Sequence, residues 1–302
     1  MSSTREMRLR IRSVKNIAQV TKALETVSAS KVRRTVQAVA ATQPYAEKAW
    51  KVLLHLARQP GRNSLHPLLS ERPEIKNILV VMVSGDRGLA GAYNVNILRH
   101  TLQNCLNLSQ PLSFITVGRK GRDLLIRRHF KIFAEFSQLP SPLAYSDVSS
   151  VGRLVIDEYL NGTFDQVYLA YTEFKSMARQ VTVFRKMLPL EVVFMPTGQE
   201  SYNVTHHKTN SVFSYEPGQT EILDQIIPRF TGLQLYAAIL SSQASEHAAR
   251  MIAMRNATDN AKELVTLLQL EYNKIRQQAI TNDMLDIAGG AEALAQVEAL
   301  TK

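Results

Sequence analysis

Apolar residues recur at steps of three and four along the first part of the chain: Met7, Ile11, Val14, Ile17, Val20, Leu24, Val27, then Val32, Val36 and Val39. That spacing keeps one face of a helix apolar. The first glycine is Gly61, and the pattern resumes through Trp50, Leu53 and Leu56 after Pro44, where proline would kink or interrupt a helix. At the other end no glycine or proline falls between Leu233 and Ala288. Such a segment predicts a rod about 84 Å long at roughly 1.5 Å per residue. An exposed apolar stripe of that length needs a partner, and the chain supplies one. Ala244, Ala248, Met251, Ala257, Ala261, Leu264, Leu268, Ile275 and Ala279 form a seam rich in small residues, suited to close helix packing against the first helix. The alternative is two helices on separate faces of a globular core.

Between the helices the rhythm changes. "NILVVMVS", "LSFITVG", "FKIFAEF" and "FDQVYLAYTEF" are short apolar or alternating runs that read as strands. "VNILRHTLQNCL", "RKGRDLLIRR" and "DVSSVGRLVIDEYLNG" read as helices between them, and "VTVFRKMLPL" adds an edge strand or hairpin. Alternating strand and helix predicts a largely parallel, doubly wound α/β layer. The fold class expected is therefore α/β: a long antiparallel coiled coil of N- and C-terminal helices plus a central Rossmann-like α/β domain. Its divisions are a first helix over 1–60, a central domain over 72–195, a polar connector and foot over 196–220, and a second helix over 221–302.

The stretch "VSGDRGLAGAYN", residues 83–94, joins the first strand to a helix, a place where many proteins hold a phosphate. Its glycines at 85, 88 and 91 fit neither the dinucleotide fingerprint nor the P-loop, and no Lys-Ser or Lys-Thr follows. Glycines in such a turn serve turn geometry more often than phosphate contact. "GRKG" at 118–121 is a second basic turn of the same weak kind. There is no G-x-S-x-G and no metal-spaced set of His or Cys. His206 and His207 read as solvated loop residues, Asp86 and Arg87 as a structural salt bridge, and Met251 and Met254 as core or seam. The expectation is no catalytic residue, no cofactor and no metal.

Charge adds one element. Lys and Arg outnumber Asp and Glu by 36 to 26, and Arg8, Arg10, Arg12, Lys15, Lys22, Lys31, Arg33 and Arg34 face a single acid, Glu25, over that stretch. A helix so lopsided faces an acidic partner or is a solvated basic surface. Nucleic acid is a candidate partner, but no Phe, Tyr or Trp precedes Tyr45, so base stacking has no platform. The single cysteine, Cys105, excludes an internal disulfide. No apolar run of transmembrane length occurs. "MSSTREMRLRIRSVKN" has the Arg and Ser content of a transit peptide, but Glu6 and the unbroken apolar rhythm make it read as mature structure.

The two ends carry a resemblance. "RLRIRSVKNIAQVTKALETVSASKVRR" and "SEHAARMIAMRNATDNAKELVTLLQLEYNKIRQQAITNDMLDIAGGAEAL" resemble the gamma subunit of F-type ATP synthases, bacterial type, and "SGDRGLAGAYN" is similar to that family's central-domain loop. The likeness covers nearly the whole chain and is weakest over 60–75 and 195–212. It implies a rotor shaft, one copy per complex. Its coiled coil would stand inside a ring of alpha and beta subunits, with the α/β domain outside near the epsilon subunit and the c-subunit ring. Nucleotide chemistry would belong to the beta subunits. The resemblance places Lys22, Leu24, Lys31 and Arg33 against the beta subunits' acidic loop, and Arg276, Gln277, Thr281 and Asp283 at the ring's catch region. Glu246 and Arg250 would form a polar pair along the shaft. Phe213, Tyr215 and Glu216 would belong to the foot on epsilon and the c ring. The chain would sit peripherally on the cytoplasmic face of the bacterial plasma membrane, and nucleic acid would not be a partner. It departs from the family at Leu24 and Thr26, where methionines are frequent, and at Ala90, Gly91 and Ala92, where Cys-Gly-Gly is. The cysteine-bearing insert of the chloroplast type is missing, so redox control through this chain is not expected. The rival readings are a nucleotide-binding α/β enzyme with a coiled-coil arm and a basic coiled-coil protein acting on nucleic acid.

Overall fold

The computed structural model describes residues 4–58, 66–190 and 219–300. The connector residues 196–218, with His206, His207, Phe213, Tyr215 and Glu216, and the side chains of Trp50, Leu53 and Leu56 lie outside the described residues. Two helices dominate: α1 (Thr4–Arg58, 55 residues) and α5 (Gln219–Leu300, 82 residues). α1 runs on through Pro44, and α5 contains Pro228. The chain falls into two compact units, one made of Met1–Val27 with Met251–Lys302 and the other of Ser28–Arg250.

In the first unit the chain's two ends lie side by side. Arg8 Nη2 donates to the Tyr272 hydroxyl at 2.8 Å, and Thr258 meets Thr21 hydroxyl to hydroxyl at 2.8 Å. As numbers rise along α1 they fall along α5, so the pair is antiparallel. Inward positions alternate by three and four: Met7, Ile11, Val14, Ala18 and Thr21 on α1, and Met254, Thr258, Ala261, Val265, Leu268, Tyr272 and Ile275 on α5. This is a coiled-coil seam that keeps Met7, Ile11, Val14, Ala261, Leu268 and Ile275 of the stripe read from bulk hydrophobicity and drops others. Ile17, Val20 and Val27 are 52%, 60% and 54% exposed, and Leu264 and Ala279 also point outward. Alanine and threonine take the inward places because small side chains let the two backbones approach. The hydroxyls remain satisfied: Thr21 donates to the Ile17 carbonyl at 3.0 Å and Thr258 lies 2.8 Å from the Met254 carbonyl. Thr258→Val should therefore cost about 0.5–1.5 kcal/mol, the worth of one hydrogen bond, measured by thermal unfolding of the full chain. From Arg276 to Ala291 every α5 residue is exposed. Over those residues α5 therefore continues alone past the start of α1, for roughly 24 Å at about 1.5 Å per residue.

The second unit is built on a five-stranded sheet. β1 (Ile78–Val83), β2 (Leu112–Val117), β3 (Lys131–Phe136), β4 (Gln166–Phe174) and β5 (Gln180–Leu188) stand in the order β3-β2-β1-β4-β5. The first four are parallel and β5 closes the edge antiparallel to β4. β1, central and buried throughout, sends Leu79, Val81 and Val83 to one face and Ile78, Val80 and Met82 to the other. A fully buried parallel strand has no polar face, which is why it reads as an unbroken apolar run. α2 (Tyr93–Cys105) and α3 (Arg119–Ile126) cover the second face through Ile97, Leu98 and Leu125. α4 (Tyr145–Leu160) and the early part of α5 cover the first through Val151, Val155, Phe230 and Ile239. Burial raises the Cys105 thiol to about 11, so this cysteine packs as an inert apolar side chain.

Candidate functional site

In a doubly wound sheet, ligands bind outside the carboxyl ends of the strands where strand order reverses, here between β1 and β4. That crevice is filled by α5. Ser242 Oγ accepts the Thr172 N–H at 2.9 Å, and Ser241 Oγ accepts the Phe174 N–H at 2.9 Å. Ser245 Oγ donates to the Thr172 carbonyl at 3.2 Å. Tyr93, at the start of α2, donates its hydroxyl to the Ser242 carbonyl at 3.2 Å, and burial pushes its phenol well above the usual range. What remains is a void of about 30 Å³ beside Ser84, Asp86, Gln243 and Glu246. It has room for a water or two and falls far below the roughly 300–1,000 Å³ of a ligand pocket. These serines were not singled out from sequence, although three of them within five residues of a helix interior is a signal, since serine there seeks a backbone partner.

The glycine turn is tied to the 118–121 turn at the start of α3. Gly118 N–H donates to the Phe136 carbonyl at 2.7 Å, and Arg119 N–H to Asp86 Oδ1 at 3.1 Å. Lys120 N–H donates to the Gly85 carbonyl at 3.0 Å, and Gly121 N–H to Ser84 Oγ at 2.8 Å. The donors that a phosphate would take at the start of α3 are thus already used. Asp86 also accepts the Gln138 N–H at 2.9 Å, and its ionic partner is Arg119, 3.8 Å away, rather than the adjacent Arg87. A carboxylate is stabilised at a helix N-terminus by its N–H groups and dipole, and that draws Asp86 towards α3. Among the described residues no group of three or more His, Cys, Asp or Glu is placed to hold a metal ion.

The polar chemistry concentrates where α5 passes this turn. Arg250 Nη2 donates to Glu246 Oε1 at 2.5 Å, with the two side chains 12% and 13% exposed. The same guanidinium reaches the carbonyls of Arg87 at 3.4 Å and Gly88 at 3.3 Å. A Cβ on Gly85 would stand 2.9 Å from the Glu246 carboxyl, so a glycine is what lets the turn close on this pair. Burial pushes the Glu246 carboxyl up, against the pull of Arg250. Its neighbour His247 is buried, and burial followed by the charges of Arg250 and Lys31 drives its imidazole down to about 4.

The remaining candidates lie elsewhere. In the first unit, Lys22 is exposed and paired with Glu25 at 3.1 Å, and Leu24 is half-buried. In the second, Lys31 is half-buried and Arg33 exposed. Arg276, Gln277, Thr281 and Asp283 sit on the lone stretch of α5, where Thr281 Oγ1 donates to the Gln277 carbonyl at 2.9 Å.

Comparison with known proteins places the chain. Residues 3–294 match the family model described as ATP synthase. An ATP synthase gamma chain of Dehalococcoides mccartyi strain CBDB1 is 43% identical over 98% of this chain and 100% of its own length. One from Roseiflexus sp. strain RS-1 is 40% identical over 98% and 100%. The chain belongs to the ATP synthase gamma chain family. A gamma chain is one subunit of the ATP synthase complex, and the complex is the enzyme. The gamma-chain fold is also that of a chain in the Euglena gracilis mitochondrial ATP synthase rotor, with a TM-score of 0.63 and 18% identity over 92% of this chain and 98% of that one. A chain in the Tetrahymena thermophila mitochondrial ATP synthase central stalk and c ring shares it too, with a TM-score of 0.58 and 23% identity over 79% and 99%. Among the described residues of this gamma-family chain, no helix is long and apolar enough to cross a membrane.

Proposed function

We propose that the chain is the rotor shaft of an F-type ATP synthase. Its paired termini turn inside a ring of alpha and beta subunits, and its α/β domain stands with the epsilon subunit on the c-subunit ring. The observation that carries this reading is the antiparallel pairing of the two termini with one helix continuing alone, together with family membership over almost the full length. A shaft transmits work if it is stiff and presents a different face to each surrounding subunit. The small-residue seam supplies stiffness, and the unequal helices supply asymmetry. Each orientation then favours one combination of open and closed beta sites, a population shift by differential contact. Catalysis belongs to those sites, and the glycine turn here keeps its shape without phosphate.

Lys22, Leu24, Lys31 and Arg33 meet the acidic mobile loop of the beta subunits, and Arg276, Gln277, Thr281 and Asp283 the catch region of the ring. Glu246 and Arg250 act as the polar pair of the shaft, and Phe213, Tyr215 and Glu216 form the foot. The chain is peripheral, on the cytoplasmic face of a bacterial plasma membrane. Most torque comes from steric contact along the helix faces, with the cations assisting. Lys22→Ala alone should therefore slow ATP-driven rotation by less than about fivefold, because exposed ion contacts are worth about 0–1 kcal/mol. Single-molecule rotation of the assembled complex checks this, and abolished rotation with assembly intact would refute it. The reading as a whole is tested by affinity capture of the tagged full chain from membranes. Recovery of the alpha and beta ATPase chains is expected. Their absence, with tight and salt-sensitive nucleic-acid binding instead, would sink it.

A further inference from the structure

His247 is a titratable group that the shaft mechanism leaves unused. It is buried in the second unit, 8% exposed, on the α5 turn that also carries Glu246 and Arg250. Its Nδ1 stands 3.4 Å from Arg250 Nη1, so the neutral ring accepts there and carries its proton on Nε2. That Nε2 is buried without a partner. From α1 the charged group acting on it is Lys31, and on α5 it is Arg250. Glu246 is turned to Arg250, and Asp86 of the glycine turn acts on Glu246. A second proton on the ring would create a third cation beside Arg250 and Lys31, and remove the acceptor that Arg250 now faces.

We propose that His247 is an acid-sensitive latch: neutral, it seats Arg250 on Glu246 and on the Arg87 and Gly88 carbonyls, and protonated, it releases the glycine turn from α5. The proposal goes beyond the shaft reading and does not depend on it. The sign follows from the shift. The ring's pKa lies lower when closed, about 4 against 6.5 when free, so the closed state is fully favoured above 6.5 and loses ground as pH falls towards 4. The ratio of open to closed should therefore rise as pH falls from about 8 to about 5, with about 30-fold as the upper bound, reached when opening frees the ring completely. Glu246, whose carboxyl is pushed up when buried, works in the opposite direction. Comparison with His247→Gln cancels that contribution, because the variant keeps Glu246.

The test uses the full chain. Thermal unfolding of the natural protein and of His247→Gln is followed from pH 8 to pH 4.5, with amide hydrogen exchange of residues 84–90 corrected for the intrinsic rate. The natural chain should lose midpoint and protection over that range, and the variant should lose less than half as much. Parallel losses in the two proteins would overturn the proposal. If the variant is too unstable to compare, the His247 ring is titrated by NMR in the natural chain. A midpoint at least one unit below that of the exposed His129, with protection of residues 84–90 lost through the same titration, supports the latch; an equal midpoint, or protection unchanged through it, refutes it.

Discussion

Arg250→Ala is expected to lower the stability of the folded chain by about 3–5 kcal/mol, the usual cost of breaking a buried ion pair from one side. The pair itself is not what makes the loss large, because desolvation offsets much of its attraction. Removal leaves Glu246 buried without its hydrogen-bonded cation, with only the weaker pull of Lys31, and strips the Arg87 and Gly88 carbonyls of the guanidinium that reaches both. Arg250→Lys should recover only part of the loss. An ammonium keeps the charge but lacks the planar fork that spans a carboxylate and two carbonyls. The damage in Arg250→Ala should also shrink in acid. A carboxyl whose pKa is raised on folding costs nothing while it is protonated, and it becomes a burden as pH rises through its folded value. Urea unfolding of the full chain measures both effects, and a loss below about 1 kcal/mol at neutral pH would refute the assignment.

Gly118→Ala is expected to cost a comparable amount, about 3–5 kcal/mol, for a reason unrelated to charge. Gly118 holds φ at 108°, and its Cβ would stand 2.3 Å from the Ser84 carbonyl oxygen. Backbone strain of this kind costs about 1–3 kcal/mol, and overpacking adds a similar amount. The obstacle is backbone at the end of β1, tied to β2 by the Ser84 N–H on the Val117 carbonyl at 2.7 Å, so it cannot step aside. Gly88→Ala is the matched control. Nothing lies within 4 Å of its added Cβ, and its effect should stay within about 0.5 kcal/mol. Thermal unfolding compares the two variants, and equal midpoints would show that the α3 turn tolerates a side chain.

The sequence by itself determined which segments are helix and which are strand, because both signals are local. The unbroken run of β1, the alternation of β3 and the glycine-free length of α5 each need only a few neighbouring residues to be read. It also carried the family, in long terminal motifs whose order survives along the chain. Tertiary structure decided which side of each long helix faces inward. Ile17 and Leu264 fit a helical stripe as well as Ala18 and Val265 do, and the choice between them depends on how closely two backbones approach. It also decided the partners of polar residues. Asp86 turns to α3 instead of Arg87, three serines of α5 finish the edge of β4, and His247 is enclosed with two cations. None of these pairings is written in local spacing, because the groups that satisfy a buried donor or acceptor come from wherever the chain returns in space, and that return is fixed only when the layers pack.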